Sequence, residues 1–235
     1  HVWHIREYMD LYFNYTPMFS WKSFRNKLNS KNNHSVYITE ALQKHYRQKS
    51  NSFVINDGVK SESFKSQKFE KQNTFIFAGR LEEGKGIIDV ISTFSKFAKN
   101  NNDYKLLVVG AGERNFVESL IKIVDSNNLS NRVEFKGFQN DIDKFVSQSK
   151  ALIMSSKNEG LGFTTIEAMF NNTLVIGKNS GGTKTILQNN QYGLLYNTNE
   201  ELLEIMNRVS RNDINIDLCK SNLYVREKYS IERNS

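Results

Sequence analysis

Two glutamates, Glu159 and Glu167, stand eight residues apart, the first in a glycine-containing turn and the second in the segment that follows it. The apolar run 151–154 before the turn indicates a strand, and the residues after it indicate a short helix. Both carboxylates and the free backbone N–H groups of the turn are therefore expected at the carboxyl end of a strand, where open α/β sheets bind ligands. Carboxylates there can accept hydrogen bonds from sugar hydroxyls, while the amino end of a helix can face a phosphate.

A second segment, residues 79–86, has the sequence Gly-Arg-Leu-Glu-Glu-Gly-Lys-Gly and nearly fits the phosphate loop G-x-x-x-x-G-K-[ST]. Its last position is a glycine, so the hydroxyl that would hold magnesium is missing and a nucleoside triphosphatase is disfavoured. Arg80 can still clamp a phosphate bidentately, and Lys85 can act as a point charge. The structural alternative is a surface turn in which Arg80 pairs with Glu82 or Glu83.

Three further segments each allow a structural and a functional interpretation. Residues 164–167 (Thr-Thr-Ile-Glu) have the pattern of a capping box, in which Glu167 folds back on its own helix. Residues 110–112 (Gly-Ala-Gly) give a weak dinucleotide-type signal, and a plain strand-to-helix turn is the favoured interpretation. Asp141 and Asp143 have a spacing that can hold a metal, but they precede an apolar helix and are expected to cap it.

The elements that must position these residues alternate along the chain from residue 74. Apolar runs predict strands at 74–78, 106–109, 133–135, 151–154, 174–176 and 193–196. Helical spacing predicts helices at 87–97, 116–124, 142–148, from 165, after 182, and at 200–209. This alternation implies right-handed crossovers and a mostly parallel sheet covered on both faces. Glycines follow the strands, where the ligand-facing loops of such sheets lie: Gly79, Gly110, Gly112, Gly137 and Gly177.

The first 65 residues have a different pattern. They contain strand candidates at 1–5, 35–38 and 52–55 and a helix candidate at 39–48, which is too little to close a domain. The polar stretch 60–73 is the natural linker. The chain is therefore expected to be the end of one α/β domain joined to a whole second one, with the missing part before residue 1.

Composition limits the function classes. At 235 residues, with 38% hydrophobic and 12% aromatic residues, the chain can bury a core. There is no run of about 18 apolar residues that would span a membrane. A single cysteine, Cys219, excludes an internal disulfide framework and fits a reducing compartment. No group of histidines and cysteines has metal-ligand spacing, and there is no nucleophile elbow.

Positive charge is concentrated near the start of the chain. The net charge is +7, and the first sixty residues contain nine Lys or Arg against four Asp or Glu. Aromatic residues are interleaved with these charges: Trp3, Tyr8, Tyr12, Phe13, Tyr15, Phe19, Trp21 and Phe24. Such a stretch can contact an anionic membrane surface, but a solvated basic face over a local core is favoured. No nucleic-acid-binding signature occurs, so no nucleic acid is expected as a partner.

Taken together, these segments resemble the retaining nucleotide-sugar glycosyltransferases of family 4, which have the two-domain GT-B architecture. Glu159 and Glu167 match the E-x7-E signature of that family, and residues 78–81 with 85–86 match its G-R-L…K-G segment. Further matches occur in order at 54–59, 109–112, 135–137, 180–182 and 192–195. The resemblance covers roughly residues 52–235.

The resemblance implies an α/β fold of GT-B type with three parts. Residues 1–65 would be the C-terminal part of the acceptor-side Rossmann-like domain, truncated at its amino end. Residues 66–215 would form the Rossmann-like donor-binding domain with a mostly parallel sheet. Residues 216–235 would form a C-terminal helix that crosses back to the first domain.

The resemblance also implies roles for individual residues. Arg80 and Lys85 would bind the donor diphosphate in place of a metal, so that no cofactor is expected. Glu167 would accept hydrogen bonds from the ribose hydroxyls. Glu159 would contact the transferred sugar near its anomeric centre, where a carboxylate favours developing positive charge. The other donor-binding residues would be Gly79, Gly110, Gly160, Leu161, Gly162 and Phe163.

His4, at the end of the first predicted strand, is the candidate for the acceptor-side histidine of the family. The whole protein is expected to be a hexosyltransferase-type bacterial enzyme, cytoplasmic and active at the inner membrane face. It would move a sugar, with UDP as the expected carrier, to a glycan or lipid-linked acceptor in surface polysaccharide synthesis. The alternatives are a non-catalytic GT-B-like subunit that binds a nucleotide sugar or a partner glycosyltransferase, and a GT-B sugar epimerase.

Overall fold

The computed structural model describes residues 1–12, 20–48, 50–60 and 69–231. Within these residues the strands form two sheets in which every pair of neighbouring strands is parallel. The smaller sheet has the order β1 (Val2–Ile5), β2 (His34–Tyr37), β3 (Ser52–Val54). The larger sheet contains β4 (Gln72–Ala78), β5 (Lys105–Val109), β6 (Val133–Gly137), β7 (Ser149–Met154), β8 (Leu174–Lys178) and β9 (Leu194–Tyr196).

Helices connect and cover these strands. They are α1 (Met9–Tyr12), α2 (Trp21–Leu28), α3 (Glu40–His45), α4 (Ile87–Ala98), α5 (Arg114–Ser126), α6 (Asp143–Gln148), α7 (Phe163–Phe170), α8 (Gly181–Leu187), α9 (Asn199–Ser210) and α10 (Leu218–Tyr229). A short 3-10 turn, Glu83–Lys85, precedes α4. The predicted alternation of strands and helices and the predicted parallel sheet are confirmed.

The central strand β4 is apolar along its length because helices cover both of its faces. Phe75 and Phe77 belong to the core cluster that includes the apolar side of α4. Ile76 and Ala78 belong to the cluster on the opposite face, which includes Ile166 of α7. Full burial of a large apolar side chain contributes roughly 1.5–3 kcal/mol, so this strand fixes the position of both helix layers.

The order of the larger sheet is β6-β5-β4-β7-β8-β9. The chain therefore builds outward from β4 in one direction and, after returning, outward from β7 in the other. This is the doubly wound order in which the crevice between the two starting strands receives ligands at their carboxyl ends. The segments that leave these two strands are 79–86 and 155–162, which carry the predicted site residues.

The start of α7 differs from the sequence prediction. The helix begins at Phe163, two residues before the predicted start, and Gly162 precedes it with a φ of 95° and no side-chain cap. Glu167 therefore lies in the second turn of the helix, and the capping-box interpretation is wrong. The sequence predicts that Asp141 caps α6; the N-cap position is instead taken by Ile142, without a side-chain cap, while Asp141 Oδ1 accepts a hydrogen bond of 3.0 Å from the backbone N–H of Asp143, the first residue of the helix.

The aromatic residues near the start of the chain pack against one another. The Phe24 ring makes edge contacts with Trp3 and Trp21, and Trp21 lies 6.2 Å from the Tyr46 ring. Tyr8 is buried. These contacts support the interpretation of a local core beneath a basic face, while Phe13, Tyr15 and Phe19 lie outside the described residues.

The end of the chain returns to the segment that follows the smaller sheet. The N–H of Val59 donates to the carbonyl of Tyr229 at 2.7 Å, and the N–H of Ile231 donates to the carbonyl of Val59 at 3.0 Å. Asn222 of α10 donates to two carbonyls at the end of α7. The proposed boundary at residues 65 and 66 lies outside the described residues, although the predicted linker is too long by two residues because β4 begins at Gln72.

Replacement of Gly110 by alanine is expected to destabilise the fold. Gly110 has a φ of 142°, and a Cβ at this position would overlap the carbonyl oxygen of Gly79 in the neighbouring loop. Overpacking of this kind costs about 1–3 kcal/mol, which urea unfolding would detect. Gly84→Ala is the matched control, because a Cβ there has no neighbouring atom within 4 Å and should change stability by less than about 0.5 kcal/mol. Equal unfolding midpoints for the two variants would contradict this packing argument.

Candidate functional site

The two predicted site segments meet at the carboxyl ends of β4 and β7. Lys85 Nζ lies 2.9 Å from Glu159 Oε2, and both side chains are only about 15% exposed. A second contact joins the segments, since the hydroxyl of Ser155 donates to the carbonyl of Lys85 at 2.6 Å. A cation and a carboxylate are therefore held together in the crevice where a doubly wound sheet binds its ligands.

The turn that carries Glu159 is packed tightly against α8. The N–H of Gly182 donates to the carbonyl of Glu159 at 2.7 Å. A Cβ on Gly181 or Gly182 would collide with the backbone of the turn, at Glu159 and Leu161 respectively. Two adjacent glycines are thus needed for this close approach, which fixes the backbone N–H groups of the turn. The predicted residues Leu161 and Gly162 are buried, while Phe163 is 37% exposed.

The smaller sheet reaches the same turn from the opposite side. The hydroxyl of Thr39, at the start of α3, donates to the carbonyl of Gly160 at 3.3 Å. The carbonyl of Arg6, just after β1, approaches Gly160 so closely that a Cβ there would overlap it. The guanidinium of Arg6 is in turn paired with the carboxylate of Asp57. Gly160 therefore lies between the two sheets.

Glu7 is a site residue that the sequence prediction missed. A Cβ on Gly160 would lie 3.1 Å from Glu7 Oε2, so the carboxylate borders the turn. Burial raises the pKa of Glu7, and the negative charge of Glu159 raises it further, while Lys85 and other cations oppose this shift. The signal that could have found Glu7 is its position two residues beyond a predicted strand, the same argument that selected Glu159.

His4 lies on β1 with an exposed side chain, in register with Val36 of β2. None of the described residues forms a hydrogen bond with its ring. The structure brings Glu7 against the turn that holds Glu159. The catalytic role of His4 remains a prediction.

Glu167 lies on α7, one helical turn beyond Thr164. Burial raises its pKa, and the nearby carboxylate of Asp143 adds to the increase. Asp143 is held by the side-chain amide of Asn171, which donates to its Oδ1 at 2.9 Å. Because residues three apart share a helix face, Glu167 lies on the same side of α7 as Thr164, which lines the cavity described next.

A cavity of about 270 Å³ opens beside these residues at the carboxyl ends of β4 and β5. It is lined by Ala78, Gly79, Arg80, Val109, Gly110, Ala111, Phe138, Gln139, Ile142 and Thr164. Arg80 brings a guanidinium to its edge, where the side chain also lies 3.6 Å from Glu82. Phe138 is 70% exposed and presents an uncovered ring. Sequence reasoning did not select Phe138, although it directly follows Gly137 at a strand exit.

The strand exits around this cavity are tied to one another. The N–H of Gly79 donates to the carbonyl of Val109 at 3.0 Å, and the N–H of Gly110 donates to the carbonyl of Gly137 at 2.9 Å. The predicted residues Gly79 and Gly110 therefore form the floor of the cavity. A cavity with two apolar walls, an arginine at its edge and half-buried carboxylates nearby suits a ligand with a planar ring, hydroxyls and phosphate.

Comparison with models of protein families assigns the chain to one family. The model of the family described as Glycosyl transferases group 1 matches residues 59–225. The chain belongs to this family. The matched region includes Arg80, Lys85, Glu159 and Glu167.

Individual relatives agree with this assignment. An uncharacterised glycosyltransferase of Methanocaldococcus jannaschii is 35% identical over 108 residues, which is 46% of this chain and 26% of the relative. The GalNAc-alpha-(1->4)-GalNAc-alpha-(1->3)-diNAcBac-PP-undecaprenol alpha-1,4-N-acetyl-D-galactosaminyltransferase of Campylobacter jejuni is 29% identical over 137 residues, which is 57% of this chain and 37% of the relative. The chain thus spans about a quarter to a half of the length of the curated relatives it matches.

Solved structures confirm the predicted GT-B fold. The crystal structure of Anabaena HepE in complex with UDP superimposes with a TM-score of 0.86 at 17% sequence identity. The similarity covers 98% of this chain and 68% of that chain. Since it includes both sheets, the likeness extends beyond the region that the family model matches.

The Lys85–Glu159 pair is expected to be strongly coupled. Because both side chains are mostly buried, a double-mutant cycle with Lys85→Met and Glu159→Gln should give a coupling free energy of about 1–3 kcal/mol by chemical denaturation. The Arg114–Glu118 pair is the matched control, with a similar 2.8 Å separation but side chains 90% and 50% exposed. Its coupling should be about 0.3–0.5 kcal/mol. Similar coupling free energies for the Lys85–Glu159 and Arg114–Glu118 pairs would show that burial does not strengthen the Lys85–Glu159 interaction.

The raised pKa of Glu167 predicts a pH-dependent stability. Since the folded state holds the proton more tightly than the unfolded state, stability is greatest below the ordinary pKa of 4.5 and falls as pH rises through the raised value. Glu167→Gln should therefore be more stable than the wild type at pH 7 and similar to it at pH 4. Denaturant unfolding at both pH values tests this. The exposed helical change Glu204→Gln should leave the pH dependence unaltered, and a Glu167→Gln profile parallel to the wild type would refute the argument.

Proposed function

We propose that this chain binds a nucleotide-diphosphate sugar and forms the donor half of a retaining glycosyltransferase. The observation that carries the proposal is the buried Lys85–Glu159 pair in the crevice between β4 and β7, next to the 270 Å³ cavity. Membership of the glycosyl transferases group 1 family supports a sugar-transfer reaction. The UDP bound to HepE supports a uridine nucleotide as the carrier.

In this proposal the donor extends from the cavity to the ion pair. The base occupies the cavity, where the exposed ring of Phe138 offers a stacking surface. Glu167 accepts hydrogen bonds from the ribose hydroxyls. Arg80 and Lys85 neutralise the diphosphate, so that its departure as a leaving group needs no metal ion. The backbone N–H groups of residues 160–163 add hydrogen bonds to the sugar and the phosphate.

In this proposal, binding of the donor diphosphate frees the Glu159 carboxylate from its ion pair. In the free protein Lys85 neutralises Glu159. A diphosphate that competes for the ammonium group releases the carboxylate, which then accepts hydrogen bonds from the sugar hydroxyls. The same carboxylate stabilises positive charge at the anomeric carbon as the bond to the leaving phosphate breaks. Retention of configuration follows if the acceptor hydroxyl forms its bond on the same face and passes its proton to the departing phosphate.

In this proposal the smaller sheet forms the acceptor side of the site, because it presents Glu7 to the turn that carries Glu159. The Campylobacter relative acts on a lipid diphosphate acceptor according to its name, which supports a glycan or lipid-linked acceptor and work at a membrane surface. No helix among the described residues is long and apolar enough to cross a membrane.

Calorimetric titration with UDP and with GDP, without metal, tests the donor site. We expect UDP to bind and the Arg80→Ala plus Lys85→Ala variant to lose at least about a hundredfold in affinity, because it removes two side chains whose charge-assisted hydrogen bonds each contribute about 1.5–3 kcal/mol. The control variant Lys105→Ala plus Arg114→Ala removes equal charge from exposed side chains that do not line the cavity and should bind normally. Absence of binding to both nucleotides, or equal binding by both double variants, would contradict the proposal.

Activity separates the enzyme from a non-catalytic subunit. In the whole protein, Glu159→Gln should lower kcat by about 10²–10³-fold, as expected for the loss of one preorganised electrostatic contact at the reaction centre. UDP affinity should stay the same or rise, because the proposed contact of the carboxylate is to the sugar and Lys85 no longer has to leave its partner to bind the diphosphate. Sugar transfer measured with a panel of UDP-sugars would check this, and unchanged transfer by the variant would assign the carboxylate to structure alone.

A further inference from the structure

A second cavity, of about 210 Å³, lies at the opposite end of the larger sheet. It opens where β4, β7 and β8 begin, whereas the proposed donor site lies where strands end. Its walls come from these strand starts, from the last turn of α9 and from the connection to α10: Lys71, Lys150, Leu174, Val209, Asn212, Ile214, Ile216 and Leu218. None of these residues takes part in the proposed sugar transfer.

One wall of this cavity carries two lysines that have only neutral hydrogen-bond partners. Lys71 Nζ donates to the hydroxyl of Thr173 at 2.8 Å. Lys150 Nζ donates to the side-chain oxygen of Asn212 at 3.1 Å. Among the described residues, no carboxylate pairs with either ammonium group. Burial, together with the positive charge of Lys150, lowers the pKa of Lys71 to about 8.

The other wall is hydrocarbon. Leu174 and Val209 are buried in the main core, and Ile214, Ile216 and Leu218 pack against it. Ile214 and Ile216 lie on the connection between α9 and α10, and Leu218 is the first residue of α10. Most of the lining of the cavity is apolar and offers water no hydrogen bonds.

Two positive groups beside an apolar wall define the chemistry of a matching ligand. An anionic head would relieve the repulsion between the two ammonium groups, which the protein leaves uncompensated, and would accept their remaining hydrogen bonds. A short alkyl body would replace poorly bonded water against the isoleucines.

We propose that this cavity binds an amphipathic anion, a carboxylate or phosphate monoester with a short alkyl chain. Lys71 and Lys150 hold the head, and Ile214, Ile216 and Leu218 contact the chain. The site is separate from the proposed nucleotide site, and its argument does not depend on sugar transfer.

Titration with octanoate, octyl phosphate and inorganic phosphate, followed by calorimetry, tests the proposal. We expect saturable binding of at least one of the two amphiphiles, weaker binding of inorganic phosphate, and an affinity that falls about fourfold for each methylene removed from the preferred amphiphile. Preference for octanoate would identify a carboxylate ligand, and preference for octyl phosphate a phosphate monoester. Inorganic phosphate binding as tightly as either amphiphile would overturn the amphipathic assignment.

Variants locate the binding. Lys71→Met and Lys150→Met remove the charge while keeping an apolar stem, and each should weaken binding at least tenfold. Lys105→Met, at the start of β5, where the exposed side chain pairs with Glu134, should bind the preferred amphiphile normally. Lys71→Met should also unfold at an equal or higher temperature in the absence of ligand, because a buried, uncompensated charge is removed, so that lost binding is not confused with lost folding.

Two results would overturn the proposal. The first is the absence of saturable binding of both amphiphiles at millimolar concentration, and the second is unchanged binding by both lysine variants. UDP titration of the same variants should match the wild type, which separates failure of this site from failure of the proposed donor site.

Discussion

The reversal between β4 and β7 of the direction in which strands are added to the sheet is the constraint on which the site depends. The crossovers from β4 run toward β6 and those from β7 run toward β9, so the loops that leave the two central strands diverge. A crevice therefore remains between them, and backbone groups can approach it only where side chains are absent. Gly110 on one side and Gly160 and Gly182 on the other meet this requirement. The central strands can hold this geometry because both of their faces are buried.

Charge in the crevice is balanced within the protein until an anion arrives. Lys85 is held against Glu159 in a mostly buried position, where leaving either group unpaired would be costly. The neighbouring carboxylates Glu7 and Glu167 have raised pKa values because burial disfavours their charged forms. Each group thus costs the free protein stability at neutral pH. Ligand cations or hydroxyl donors near these carboxylates would recover part of that cost, which is a general way for a site to favour polar ligands.

The sequence predicts the helices and strands of this fold better than it predicts the contacts between them. Apolar runs such as 106–109 identify strands because a strand buried on both faces needs continuous apolar residues. The start of α7 was misplaced because Thr164 and Thr165 imitate a capping box, whereas the chain turns at Gly162 in a left-handed conformation. Glu7 escaped notice because its contact with Gly160 joins residues far apart in sequence, and no local pattern records such a contact. Phe138 was missed for a similar reason, since its exposure depends on how three strand exits pack.

The two ends of the larger sheet differ in how their charges are compensated, and the difference follows from chain topology. At the carboxyl ends, loops from both halves of the sheet border the same crevice, so a cation on one loop can reach a carboxylate on the other, as Lys85 reaches Glu159. At the amino ends, the strands are entered from helices and connections, and the lysines before β4 and at the start of β7 meet only neutral partners within the described part of the chain. A sheet that supplied its own counter-ions at this end would gain stability and lose the capacity to bind an anion there. The pair of lysines without a carboxylate partner among the described residues, beside an apolar wall, is therefore understandable as a binding feature, whereas a purely structural role would favour a carboxylate or an apolar residue at one of the two positions.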